Sequence, residues 1–141
     1  MADEQKVVEG EGYSIAHLDD LGDGPGFRKI RKELGVTAFG ANAIVIPPGY
    51  ETGSHLHEEQ EELYFLHSGR IAIEFGDGTS HELGPGGLAR VDAATIRRTR
   101  NLSDSEEAVY VIVGGKDGYV GRDGQLPDGE DGGTMPGRGD N

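Results

Sequence analysis

The chain has 141 residues, enough for one domain with a hydrophobic core but not for two. Only 34% of them are hydrophobic, none is cysteine, and 26 acids against 13 Lys and Arg give a formal net charge of −13. These values exclude a disulfide framework, a thiolate metal site and a cysteine nucleophile, and a field of this sign disfavours nucleic-acid and membrane surfaces.

Residues 1–12 are polar and acidic and read as a flexible N-terminus. They lack the apolar run of a signal peptide. No stretch of the chain approaches the roughly 20 apolar residues needed to cross a bilayer, so a soluble, cytoplasmic protein is expected. A weak strand pattern follows from Tyr13 through Ile15, then a turn in Asp19 to Gly26. GFRKIRKE alternates apolar and basic residues, which predicts an edge strand guarded by charge. Val36 to Ile46 is apolar and β-branched, a further strand, stopped by Pro47-Pro48-Gly49.

The next stretch, Gly49 to Gly69, holds most of the candidate chemistry: His55, His57, Glu58, Glu59, Glu61 and Glu62. Residues two apart on a strand share a face, so His55 and His57 can aim at one point. A carboxylate from the neighbouring strand completes a His-His-carboxylate set of the kind that holds a divalent metal with open positions. The same period puts Glu62, Tyr64 and Leu66 inward and Leu63, Phe65 and His67 outward. Glu58, Glu59 and Glu61 are then expected at the surface.

ELYFLHSGRIAIEF reads as a long or broken strand, and Gly76-Asp77-Gly78 as the tight turn of a hairpin returning through Ser80 to Leu83. Gly84 to Gly87 is another turn, LARV and IRRTRN are short strands, and Ala108 to Val113 is the last apolar strand. Short strands at this spacing, with no 3.6-residue apolar period, predict an all-β antiparallel sandwich or barrel. After Val113 the composition shifts: residues 114–141 carry 10 of the 25 glycines. Within them 114–124, with Tyr119 and Val120, is a candidate docked extension. The run 125–141 is too poor in apolar groups to offset its ordering entropy and is expected to be a disordered tail.

Gly49, His55, His57, Glu62 and Gly69 fit G-x5-H-x-H-x4-E-x6-G, and through them the chain resembles the cupin superfamily. Pro85, Gly87 and Asn101 look like the proline, second glycine and asparagine of the second cupin motif, with a longer spacing between Gly87 and Asn101. The resemblance covers about residues 36–113 and implies a double-stranded β-helix, a jelly-roll barrel, placed here at residues 13–113. It also implies a divalent metal (iron, manganese, nickel or zinc) on three histidines and a glutamate. His55, His57 and Glu62 match three of those ligands, and the third histidine position holds Arg97.

Arg97 admits three readings: a charge-paired substitute for the metal beside Glu62, a guanidinium gripping an anionic ligand beside a retained metal, or a solvent-facing arginine like Arg98 and Arg100. Tyr64 and Tyr110 are candidates for the wall of a ligand pocket or ordinary strand aromatics. His17 and His81 have no ligand-like spacing. The function expected is a small-molecule-binding cupin, either a metal-dependent enzyme acting on a small anionic or oxygenated substrate or a metal-free binding or sensing protein. Which residues would be catalytic stays open. A homodimer is expected from an exposed edge and the outward apolar residues Phe27, Ile30, Val36 and Phe65.

Overall fold

Alternating apolar residues separated by glycine turns fold here into antiparallel strands, in a computed structural model that describes residues 6–121 and 124–125. The strands in chain order are β1 (Val8–Gly10), β2 (Tyr13–Ile15) and β3 (Gly26–Arg28), then, after the short helix α1 (Ile30–Leu34), β4 (Gly40–Ile46) and β5 (Leu56–His57). There follow β6 (Glu61–Ser68), β7 (Ile71–Phe75), β8 (Ser80–Leu83), β9 (Leu88–Val91), β10 (Arg97–Asn101), β11 (Ala108–Gly115) and β12 (Gly124–Gln125). A five-stranded sheet in the order β3-β4-β11-β6-β9 faces a three-stranded sheet in the order β10-β7-β8. Two-stranded pairs β1-β2 and β12-β5 complete the topology. This is the all-β jelly roll that the sequence predicts.

The core lies between the two sheets. Ile44, Ile46, Tyr64, Leu66, Val91, Ala108 and Tyr110 come from one side and Ile71 and Ile73 from the other. Full burial of each aliphatic side chain contributes about 1.5–3 kcal/mol. Along β6 the exposure alternates strictly, with Glu62, Tyr64 and Leu66 buried and Leu63, Phe65 and His67 exposed. The long strand expected there breaks at Gly69, which has φ of +85°. A Cβ on Gly69 would lie 2.8 Å from the Ala108 Cα, so only glycine allows β11 to pass this closely. Asn101 is buried and fastens the same end of the barrel. Its side-chain amide donates to the carbonyls of Ile46, Pro47 and Glu106, at 3.1, 3.1 and 2.9 Å, and its oxygen accepts from the Ser103 amide at 2.9 Å.

Three local expectations change. Only the start of GFRKIRKE is the expected edge strand: β3, at the edge of the larger sheet, ends at Arg28, and Ile30–Leu34 is helical, closed by Gly35 at φ of 74°. Ile30 and Leu34, four apart, share one face of the helix, which packs against β4. The strand expected from Val36 begins only at Gly40. Val8–Gly10, within the stretch read as a flexible N-terminus, pairs with Tyr13–Ile15 across a turn at Gly12. In the extension, β11 runs on to Gly115, Arg31 stacks over the Tyr119 ring at 4.0 Å, and Gly124 pairs with His57. The tail expected to be disordered lies outside the described residues apart from Gln125, which pairs with Leu56.

Candidate metal centre

The segment before β5 is not a free loop. Glu51 bridges to Arg100 and His55 to Arg97, so residues 51–55 run antiparallel to β10. His55 and Arg97 exchange both backbone hydrogen bonds, at 2.9 and 3.0 Å. Directly opposed residues of an antiparallel pair project to one face. This pairing therefore sets the His55 imidazole beside the Arg97 side chain, inside the barrel. His57 lies two residues further on, with its amide donating to the Ala93 carbonyl at 2.7 Å. Glu62 enters from β6 on the facing sheet.

One ligand atom from each of His55, His57 and Glu62 falls within 4.8 Å of the others. The imidazoles stand edge to face, with centroids 5.2 Å apart. The two carboxylate oxygens of Glu62 have different surroundings. Oε2 faces His57 Nε2 at 3.3 Å and accepts from Gln60 Nε2 at 3.2 Å. Oε1 accepts from Arg97 Nη2 at 2.8 Å and from the Tyr64 hydroxyl at 3.2 Å.

Arg97 is wholly buried. Its Nη1 donates to the carbonyls of Asp92, Ala93 and Thr95, at 3.3, 3.1 and 2.6 Å. Its Nε is buried too and finds no hydrogen-bond acceptor among the described residues. The solvent-facing reading of Arg97 is therefore corrected. With period two, Arg97, Thr99 and Asn101 turn inward, and it is Arg98 and Arg100 that turn outward, to Glu74 and Glu51. Arg97, Tyr64 and Tyr110, expected to bind a ligand, all lie in the packed interior, and the two tyrosine rings stack at 6.0 Å.

Burial raises the Glu62 carboxyl, but the hydrogen bond and charge of His57, with the charges of Arg97 and His55, outweigh it and hold the group at about 2. Burial first, and then the Arg97 charge, lower His55 to about 4 against the pull of Glu62. At neutral pH the site thus presents an ionised carboxylate and, at His55, the neutral imidazole that ligates metals. Burial, with the Glu62 charge, raises the Tyr64 hydroxyl, so it stays a donor to Oε1.

Two imidazoles and a carboxylate converging on one point fit a divalent transition metal. With Arg97 and Tyr64 on Oε1, Oε2 is the oxygen turned toward the histidines. Sequence reasoning missed Gln60, whose amide lies between Glu62 and the His57 Nδ1, the latter 3.4 Å away. It stands two residues before Glu62, so the period that turned Glu62 inward also pointed to it. Sequence reasoning also missed Gly124, where a Cβ would come within 3.4 Å of the His57 ring, because no local pattern joins it to residue 57. His17 and His81 lie outside the cluster.

The family model described as Cupin domain matches residues 43–114. A cupin protein from Bacteroides fragilis superposes with a TM-score of 0.62 at 21% identity, over 74% of this chain and 85% of that one. A sugar phosphate isomerase from a cupin superfamily, from Silicibacter pomeroyi, gives 0.58 at 25% identity, over 64% of this chain and 58% of its own length. A DMSP lyase from Ruegeria pomeroyi gives 0.56 at 21% identity, over 65% and 45%. At 21% identity the likeness is one of fold. No protein of curated function matches the chain.

Proposed function

The chain belongs to the cupin domain family, and from that premise we propose that it is a small-molecule-binding cupin whose His55, His57 and Glu62 hold a divalent metal, making it an enzyme for a small anionic or oxygenated substrate. The observation that carries this reading is the convergence of one ligand atom from each of the three residues within 4.8 Å. Iron, manganese, nickel and zinc all suit this donor set. Such a metal supplies Lewis-acid polarisation of a bound oxygen and open positions at which substrate can coordinate.

The chain's own residues do the rest. Arg97 and Tyr64 hold Glu62 by Oε1, so the carboxylate cannot swing away from the histidines. Gln60 steadies Oε2 and reaches His57. His55 is the least buried of the three ligands, which favours approach of a small molecule from its side. Isomerase and lyase activities occur among structures of this fold, and fold alone does not select one. A small-molecule partner, a cytoplasmic location, a homodimeric assembly and no role on nucleic acid or membrane belong to the same reading. Among the described residues no helix is long and apolar enough to cross a membrane.

A second reading is favoured by one observation, the buried Arg97–Glu62 ion pair at 2.8 Å. A guanidinium beside the carboxylate neutralises the charge that would attract a dication, which suits a metal-free protein that binds or senses its ligand. Elemental analysis of untagged protein purified without chelator separates the two. Near-stoichiometric metal that is lost in His55→Ala supports the metal centre. Metal-free protein whose stability is indifferent to chelator supports the second reading instead.

A further inference from the structure

We infer that Arg97 makes metal uptake at this centre depend on an anion bound at the same time, so that the ligand class is a small oxyanion, such as a carboxylate, rather than a neutral molecule. This rests on the metal-centre reading above. A dication on two neutral imidazoles and one carboxylate carries a net charge of +1, as it would with three imidazoles and a carboxylate. Arg97 adds a further positive charge in direct contact with the ligand carboxylate, 2.8 Å from Oε1. That charge is permanent, because a guanidinium does not lose its proton in proteins.

Among the described residues no other negative charge contacts it. The other partners of Arg97 are the neutral carbonyls of Asp92, Ala93 and Thr95 and the neutral Tyr64 hydroxyl. The Asp92 carboxylate is exposed and paired with Arg90 instead. The buried Nε–H of Arg97, without an acceptor among the described residues, points the same way, since a buried cationic donor left unsatisfied is costly. The loaded centre therefore holds +2 in a largely enclosed site. A singly charged oxyanion at an open metal position returns it to +1. At a separation of about 6 Å and an effective dielectric near 20, one such attraction is worth on the order of 100-fold in binding, and tenfold after screening.

The test is a Co2+ titration of the chelator-stripped full chain, followed by visible absorption, in a buffer free of coordinating anions. The titration is repeated with sodium acetate, with acetamide and with sodium perchlorate, at matched ionic strength. Acetate is expected to tighten Co2+ binding by about tenfold or more, while acetamide and perchlorate leave it unchanged. In Arg97→Gln and Arg97→His, checked for folding by circular dichroism, the acetate effect shrinks, and Co2+ alone binds more tightly than in the unaltered chain. Acetate acting no better than perchlorate overturns the inference, as does a full acetate effect in either variant. The comparison on the unaltered chain stands even if both variants fail to fold. Absence of Co2+ binding under every condition is a different result, which refutes the metal-centre reading and takes this inference with it.

Discussion

Arg97 carries a full positive charge into an interior position, and Glu62 is the charged group that answers it, at 2.8 Å. A buried pair of this kind gives little net stability over apolar packing, yet removing one partner leaves the other charge stranded. Glu62→Ala in the metal-free chain is therefore expected to lower unfolding stability in urea by about 3–5 kcal/mol. Glu62→Leu combined with Arg97→Met should regain much of that loss. A single substitution costing less than about 1 kcal/mol, or a double variant no better than the single one, would show that the pair does not hold the interior in the way its geometry indicates. The sequence showed which residue occupies the third-histidine position, but left open whether Arg97 faces solvent with Arg98 and Arg100; the alternating burial of β10 separates them. Nor did the sequence show that the guanidinium turns onto Glu62, because the two lie on different sheets, 35 residues apart in the chain.

At the level of elements, two motif glycines sit at turns for different reasons. Gly49 has φ of +70° with open space where a Cβ would project, whereas Gly69 has φ of +85° and a backbone neighbour at 2.8 Å. Gly49→Ala is expected to cost about 1 kcal/mol for its left-handed backbone alone. Gly69→Ala should cost clearly more, since β11 must move as well. Equal urea midpoints for the two variants would mean that the approach to Ala108 relaxes freely. Both glycines were legible as punctuation in the sequence, and so was β6, whose strict alternation the structure keeps. The helix α1 was not legible. It spans only five residues, too few to show a helical period, and it packs against β4 and closes on a left-handed Gly35.

Across the whole molecule the outward face of the larger sheet is unusual for so acidic a chain. Leu63, Phe65 and Leu88 are each at least 40% exposed and adjacent, because Phe65 pairs with Leu88 across β6 and β9. Val111 and Val113 lie opposite Phe65 and Leu63 on β11 and extend the stripe. Of the residues expected to form a dimer contact, Phe65 lies in this stripe, whereas Phe27 packs against the core and Ile30 and Val36 are half-buried. A second copy is the occupant proposed, since a stripe repeated on an identical chain is self-complementary about a two-fold axis. Analytical ultracentrifugation at micromolar concentration should give a dimer mass, and Phe65→Asp with Leu88→Asp should give a monomer. A monomer from the unaltered chain would refute the assignment of this face.

What the sequence determined by itself was whatever depends on near neighbours along the chain. It specified the alternating pattern of β6, the glycines that bound the histidine-rich stretch, the family motif they carry, and the absence of thiol chemistry. Tertiary structure alone decided which distant groups meet: His55 opposite Arg97, Arg97 on Glu62, and Gly124 against the His57 ring. The physical reason is that hydrogen bonds and ion pairs act over a few ångströms. Which partners come within that reach is decided by the pairing of strands far apart in the chain, which no local pattern encodes.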